Sequence, residues 1–320
     1  MKKKILIISG DPNSINSEIL FKSWIKINSS IKKKIYLISN YELLKSQFKR
    51  LNYKIDIIKV KNVYEHENNN KLKIINIDLE FNNSFKVPKK LSSRFIIQSL
   101  DLAHKIALDP NISGIINCAI DKKLLNKSNI GVTEYFANKC NIKDNSEVMM
   151  IRNDKLSVCP ITTHLNIKDV AKNIKSKLIV NKVKTIDFWF RNKFKKKPKI
   201  AVLGLNPHNA EFRKSSEERK IILPSLIKLK KSGINLDGPL VADNIFIKDY
   251  KNYDVIVGMY HDQVLIPFKL LFKYDAINLT LGLKYIRVSP DHGTAANIIM
   301  KKKSNPLSLL KCIKYINNLR

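Results

Sequence analysis

Six histidines stand in the 320-residue chain, at positions 66, 104, 164, 208, 261 and 292. Three of them share a setting. Thr162-Thr163-His164, Asn206-Pro207-His208 and Tyr260-His261-Asp262 each follow a short apolar run that reads as a buried strand. In open α/β sheets the carboxyl ends of the strands line the crevice where ligands bind. Three imidazoles delivered there have the chemistry to hold one divalent ion and leave positions open for a substrate. Taken singly, each is better explained as a loop histidine satisfied by hydrogen bonds. The repeated placement is what favours a metal.

His292 is different. Ser289-Pro290-Asp291-His292-Gly293-Thr294-Ala295-Ala296 joins turn formers, a permissive glycine and a helix-compatible run. Such a loop suits a nucleotide laid against backbone amides, although a helix N-cap by Asp291 or Thr294 explains it equally well. Lys269, Asn278 and Arg287 lie downstream of His261 in an otherwise apolar region. Two cations and an amide beside a metal suit an anionic substrate, above all a phosphate.

These residues need a scaffold, and the alternation of short apolar runs with longer amphipathic stretches supplies one. Strands are expected at 4–8, 35–38, 55–60, 74–77, 114–118, 148–151, 157–162, 200–205, 255–259 and 276–279, with a short one at 240–241. Helices are expected at 18–26, 41–51, 92–107, 133–139, 167–177, 180–194, 217–231 and 307–318. This is an α/β pattern with a largely parallel sheet. The length suggests about two domains.

Charge points elsewhere at first. The 59 Lys and Arg against 27 Asp and Glu give a net charge of +32, the balance of a nucleic-acid or membrane binder. Only 8 of the 59 are Arg, the side chain whose planar fork reads phosphates and bases. Lys abounds together with Ile and Asn, which share A/T-rich codons, and the lysines are scattered rather than gathered in one tract. A solvated Lys-rich surface is the better reading, and nucleic acid is disfavoured as a partner. The four cysteines, at 118, 140, 159 and 312, include no C-x-x-C pair, so they read as free thiols in a reducing compartment. The apolar run at 5–8 is too short for a signal peptide, and no stretch approaches the ~18 apolar residues of a membrane span. A cytoplasmic protein with no membrane partner is expected.

Several segments, in order, resemble the 4-hydroxythreonine-4-phosphate dehydrogenase family of pyridoxal phosphate biosynthesis. They are Gly10-Asp11-Pro12, Thr162-Thr163-His164-Leu165, Gly204-Leu205-Asn206-Pro207-His208, Gly238-Pro239 with Ala242-Asp243, Met259-Tyr260-His261-Asp262-Gln263, Asn278 to Leu283, and Arg287 through Asp291-His292-Gly293-Thr294-Ala295. The resemblance implies two α/β/α domains with a central cleft, like isocitrate and isopropylmalate dehydrogenases, without a G-x-G-x-x-G loop. The terminal segments, 1–117 plus 273–320, would form one domain carrying the cofactor's adenosine loop. The middle segment, 118–272, would carry the metal ligands and dimer contacts. It also implies a homodimer whose active site is shared between subunits.

By the same resemblance, His164, His208 and His261 ligate one divalent metal (Zn, Mg or Co). Thr133, Lys269, Asn278 and Arg287 hold the phosphorylated substrate. Asp291, His292, Gly293, Thr294 and Ala295 sit by NAD or NADP. The implied reaction oxidises 4-phosphohydroxy-L-threonine at C3 to a 3-oxo acid, which loses CO2 to give 3-amino-2-oxopropyl phosphate. Asp243 and Asp262 are the candidates for the proton acceptor. The chain departs from the family in three places. Val132 replaces a histidine in Gly131-Val132-Thr133-Glu134, Ser14 and Asn16 replace glycines, and 209–214 is not glycine-rich. Val132 motivates an alternative substrate, a sugar-acid phosphate such as threonate or erythronate 4-phosphate. A basic nucleic-acid-binding protein on an old enzyme fold is the non-enzyme alternative. A phosphate acyltransferase is disfavoured, because acyl transfer has no use for three histidines on strand ends.

Overall fold

The first strand, Lys4–Ile8, is buried along its whole length. An unbroken apolar run of this kind specifies a strand covered on both faces. The computed structural model describes residues 3–66, 68–125, 131–143 and 146–319. Among them are twelve strands: β1 (Lys4–Ile8), β2 (Ile35–Ser39), β3 (Ile57–Val60), β4 (Leu72–Asn76), β5 (Ile112–Asn117), β6 (Val148–Arg152), β7 (Ser157–Thr162), β8 (Ile200–Leu203), β9 (Leu236–Leu240), β10 (Val255–Tyr260), β11 (Ile277–Leu281) and β12 (Arg287–Pro290).

The chain divides into two units, Met1–Lys139 with Lys284–Arg320, and Cys140–Leu283. The sequence reading puts the boundaries at 117/118 and 272/273; here they fall at 139/140 and 283/284. Side-chain bonds explain the first shift. Thr133 is bonded to Arg287, and both Tyr135 and Lys139 are bonded to Asp101 on the helix Lys89–Ala107. These contacts hold the helix Val132–Lys139 in the first unit. The second shift follows from backbone pairing, because β11 pairs antiparallel with β6.

In the first unit the strands run β3-β4-β2-β1-β5-β12, and every pairing is parallel. The helix Lys89–Ala107 buries Phe95, Ile96, Leu100, Ala103 and Ala107 on one stripe, the 3.6-residue spacing read from the sequence. The helix Leu307–Asn318 buries Leu309, Leu310, Cys312, Ile313 and Ile316. Gly114 in β5 lets it approach, since a Cβ there would stand 3.1 Å from Ile316 Cδ1 and 2.9 Å from the Ile286 carbonyl oxygen.

In the second unit the order is β11-β6-β7-β10-β8-β9. The first two pairings are antiparallel and the last three parallel. Its core gathers Ile151, Val158, Leu203, Ile256, Val264 and Phe268. Val264 and Phe268 belong to a helix, His261–Phe272, that the sequence reading omits. The stretch is apolar on several faces and carries Pro267 in its interior, so neither its period nor its composition marks a helix. β12 is also absent from the sequence reading; four residues ending in proline give no strand pattern.

Candidate active site

The second unit positions the histidines. Register pairs Tyr260 of β10 with Thr162 of β7, so the two strands end side by side. His261 opens the following helix and His164 lies two residues beyond β7, with ring centroids 6.2 Å apart. His261 Nδ1 pairs with Asp262 Oδ1 at 2.6 Å. A carboxylate on one ring nitrogen fixes the imidazole and directs the other, Nε2, toward a ligand. Asp262 is therefore placed to orient His261. Asp243 lies exposed in the short helix Ala242–Ile245.

His208 is placed differently. After Pro207, residues 208–212 all take left-handed backbone angles, with φ from 47° to 55°. None of the five is glycine, and each such residue costs about 1–2 kcal/mol. Among the described residues no three His, Cys, Asp or Glu side chains stand close enough to hold a metal ion. The structure thus brings His164 and His261 together and does not complete the set with His208. The donor types still fit a divalent ion, as two neighbouring imidazoles, one of them backed by a carboxylate.

Two residues to which the sequence reading gives no role hold this region. Glu218 is fully buried and accepts from Leu205 N (2.8 Å), Asn206 N (2.7 Å) and Asn206 Nδ2. Burial alone would raise its pKa, but the backbone and side-chain donors of Asn206, with Leu205, hold it below the ordinary value. Gln263 bridges two strand ends, accepting from Met259 N at 2.6 Å and donating to the Gly204 carbonyl at 2.8 Å. Gly204 leaves no room for a side chain, since a Cβ would lie 2.0 Å from Asn209 Oδ1. Lys269 lies exposed in the His261–Phe272 helix, and Asn278 in β11 has a buried Oδ1 with no partner.

The first unit holds the other expected residues. Arg287 opens β12 and is only 3% exposed. Its Nε donates to Asn117 Oδ1 at 2.5 Å and its Nη1 to Thr133 Oγ1 at 3.2 Å. Burial lowers its pKa to about 10, against the opposing pull of Glu134, so it is charged at neutral pH. Thr133 and Arg287 are thus together, and Asn117, at the end of β5, is a partner the sequence reading missed. Val132 begins the helix that carries Thr133.

In the loop after β12, His292 Nδ1 lies 2.9 Å from the Gly293 carbonyl oxygen. A carbonyl only accepts, so Nδ1 carries the proton in this contact and Nε2 is left as an acceptor. That Nε2 is buried and unpartnered. Burial pushes the His292 pKa down, favouring the neutral ring. The space where a Gly293 Cβ would stand is open. The loop is tied down by Asp291 N on Ser308 Oγ and by Ile15 N on the Thr294 carbonyl, while Ala295 takes a left-handed angle. Ser14 and Asn16, the residues in glycine positions, have ordinary backbone angles; Asn16 opens the helix Asn16–Trp24 and donates to the Ala119 carbonyl.

Comparison with known proteins assigns the family. The model of the family described as pyridoxal phosphate biosynthetic protein PdxA matches residues 31–316. A 4-hydroxythreonine-4-phosphate dehydrogenase from Sulfurihydrogenibium sp. (strain YO3AOP1) is 37% identical over 320 residues, spanning 97% of this chain and 96% of its own. One from Aquifex aeolicus (strain VF5) is 38% identical over 329 residues, spanning 100% and 99%. The solved structure of a 4-hydroxythreonine-4-phosphate dehydrogenase from Klebsiella pneumoniae matches with a TM-score of 0.85 at 26% identity, over 99% of this chain and 100% of that one. A terephthalate 1,2-cis-dihydrodiol dehydrogenase from Burkholderia xenovorans LB400 has the same fold, with a TM-score of 0.66 at 19% identity over 98% and 97% of the two chains. By these matches the chain belongs to the family of the pyridoxal phosphate biosynthetic protein PdxA.

Proposed function

We propose that the protein oxidises 4-phosphohydroxy-L-threonine with NAD or NADP, yielding a 3-oxo acid that decarboxylates to 3-amino-2-oxopropyl phosphate. The relatives' names supply the substrate. The observation that carries the reading onto this chain is the buried Arg287–Thr133 pair, a fixed cation beside a hydroxyl. Such a pair suits a substrate anion. Asn278, with its unpartnered Oδ1, and Lys269 complete the substrate set. His164 and His261 would hold a divalent ion, with His208 the expected third donor that the structure does not bring to them. Bound there, such an ion would supply a Lewis acid for the substrate C3 hydroxyl. Asp262 holds the His261 ring in orientation, and Asp243 accepts the hydroxyl proton.

The nicotinamide cofactor supplies the two-electron acceptor. His292 Nε2, an acceptor facing no protein donor, suits an exocyclic amino group such as adenine carries, and the space beside Gly293 admits a ring. The assembly is a homodimer with a shared site. Ile266 and Leu270, exposed one turn apart on the helix His261–Phe272, with Tyr274 just beyond it, support a covered surface there. The chain has no helix among its described residues that is long and apolar enough to cross a membrane, and the cytoplasm is the proposed location.

The test is NADH formation by purified protein with substrate, NAD and Zn2+, Mg2+ or Co2+. Folded, metal-loaded protein that makes none overturns the reading. Faster turnover of threonate or erythronate 4-phosphate in the same assay gives the site to the sugar-acid substrate that Val132 motivates. Val132→His then discriminates further, since it raises turnover of the threonine-derived substrate if valine is only a handicap.

A further inference from the structure

We infer that Asn117 is a positioning residue for the substrate's anionic group, anchoring the Arg287 guanidinium without neutralising it. The inference rests on the proposed substrate role of Arg287. Two guanidinium nitrogens are held from different elements: Nε by Asn117 at the end of β5, and Nη1 by Thr133 in the first turn of the helix Val132–Lys139. Two bonds from separate elements fix the plane of the group, which is what fork-like anion recognition needs. The Asn117 amide is itself oriented, its Nδ2 donating to the Cys118 carbonyl, so that Oδ1 faces Arg287. The Thr133 end is braced in turn, because Tyr135 Oη and Lys139 Nζ both bind Asp101 Oδ1, at 2.7 and 2.6 Å.

The choice of amide over carboxylate is the informative feature. Buried charges are ordinarily met by opposite charges. Glu134 already supplies one negative charge near this guanidinium. A second at position 117 would favour the folded protein and leave the locale net negative, repelling an anion. A neutral acceptor keeps the anchor and spares the charge.

Asn117→Asp separates the two roles because it preserves shape and the acceptor that faces Arg287, while giving up only the Nδ2 donation to the Cys118 carbonyl. In full-length protein, Asn117→Asp is expected to stay folded, the ion pair to Arg287 offsetting the lost bond to the Cys118 carbonyl. It should raise KM for the phosphorylated substrate at least ten-fold and weaken inorganic phosphate binding, read by calorimetry, to a similar degree. Asn117→Ala is expected to raise KM roughly ten-fold, the loss of one hydrogen bond to a charged group. In both variants kcat stays within two-fold of wild type. Wild-type affinity for phosphate and unchanged KM in a folded Asn117→Asp protein overturn the inference. So does a fall in melting temperature and kcat with KM constant in Asn117→Ala. If the wild-type protein fails to oxidise the substrate, the dehydrogenase reading fails on its own, and phosphate binding by the two variants still decides the role of Asn117.

Discussion

The two units hold their candidate residues in opposite ways. In the first, Asn117 and Thr133 are each bonded to Arg287 in a largely buried setting. In the second, His164 and His208 are exposed, and His261 is half-buried and bonded to the neighbouring Asp262. A buried charge has to be satisfied by the protein itself, because leaving it unpaired costs several kcal/mol. An exposed imidazole carries no such requirement, since water satisfies it. The first constellation is therefore part of the fold, whereas the second is a set of donors that a ligand is left to organise.

That contrast is broken most directly at Arg287. Arg287→Ala removes two hydrogen bonds to a charged group and is expected to cost about 3 kcal/mol or more in denaturant unfolding, along with activity. A stable Arg287→Ala protein would show that the first unit does not depend on its own site. Next is Glu218→Ala, which strips the acceptor from Leu205 N and Asn206 N. It is expected to cost about 2–3 kcal/mol by the same measurement, because buried donors lose their partner. Here, in the second unit, site and stability are joined.

His164→Ala and His261→Ala should behave the other way. Each is expected to change the unfolding free energy of metal-free protein by no more than about 0.5 kcal/mol, as surface substitutions do. Each should also abolish tight binding of Co2+, followed by its visible absorbance. A large loss of stability without metal would erase the contrast. The smallest effect is with pH. In the first unit, burial holds His104 and His292 below the ordinary histidine pKa. The unfolded chain then takes up these protons first, so stability is full above about pH 6.5 and declines as pH falls through the folded values. A melting temperature that rises on acidification would reverse that sign.

How much of this was legible in the sequence follows the range of the interactions. β1 was placed to the residue because five buried positions in a row carry their own signal. The strand ends bearing His164 and His261 were legible for the same reason. The helix His261–Phe272 was not, because it is apolar on several faces and interrupted by Pro267. The left-handed run at 208–212 was not either, since three of its five residues, Ala210, Glu211 and Phe212, have no preference for that conformation. Most hidden was Asn117, whose partner Arg287 lies 170 residues away. Nothing local marks such a pair, and only the parallel register of β12 on β5 brings the two together.

That register has a consequence for the order in which the protein is made. β12 and the helix Leu307–Asn318 emerge during synthesis only after the whole second unit, yet they complete the unit that β1 began. Until they arrive, the edge of β5 stands open, and an unpaired strand edge is a template for the wrong partner. The second unit is one continuous piece of chain and has all its strands in hand by Leu283. The nascent protein therefore passes through a stage in which the half bearing His164, His208 and His261 is complete while the other half waits for Arg287.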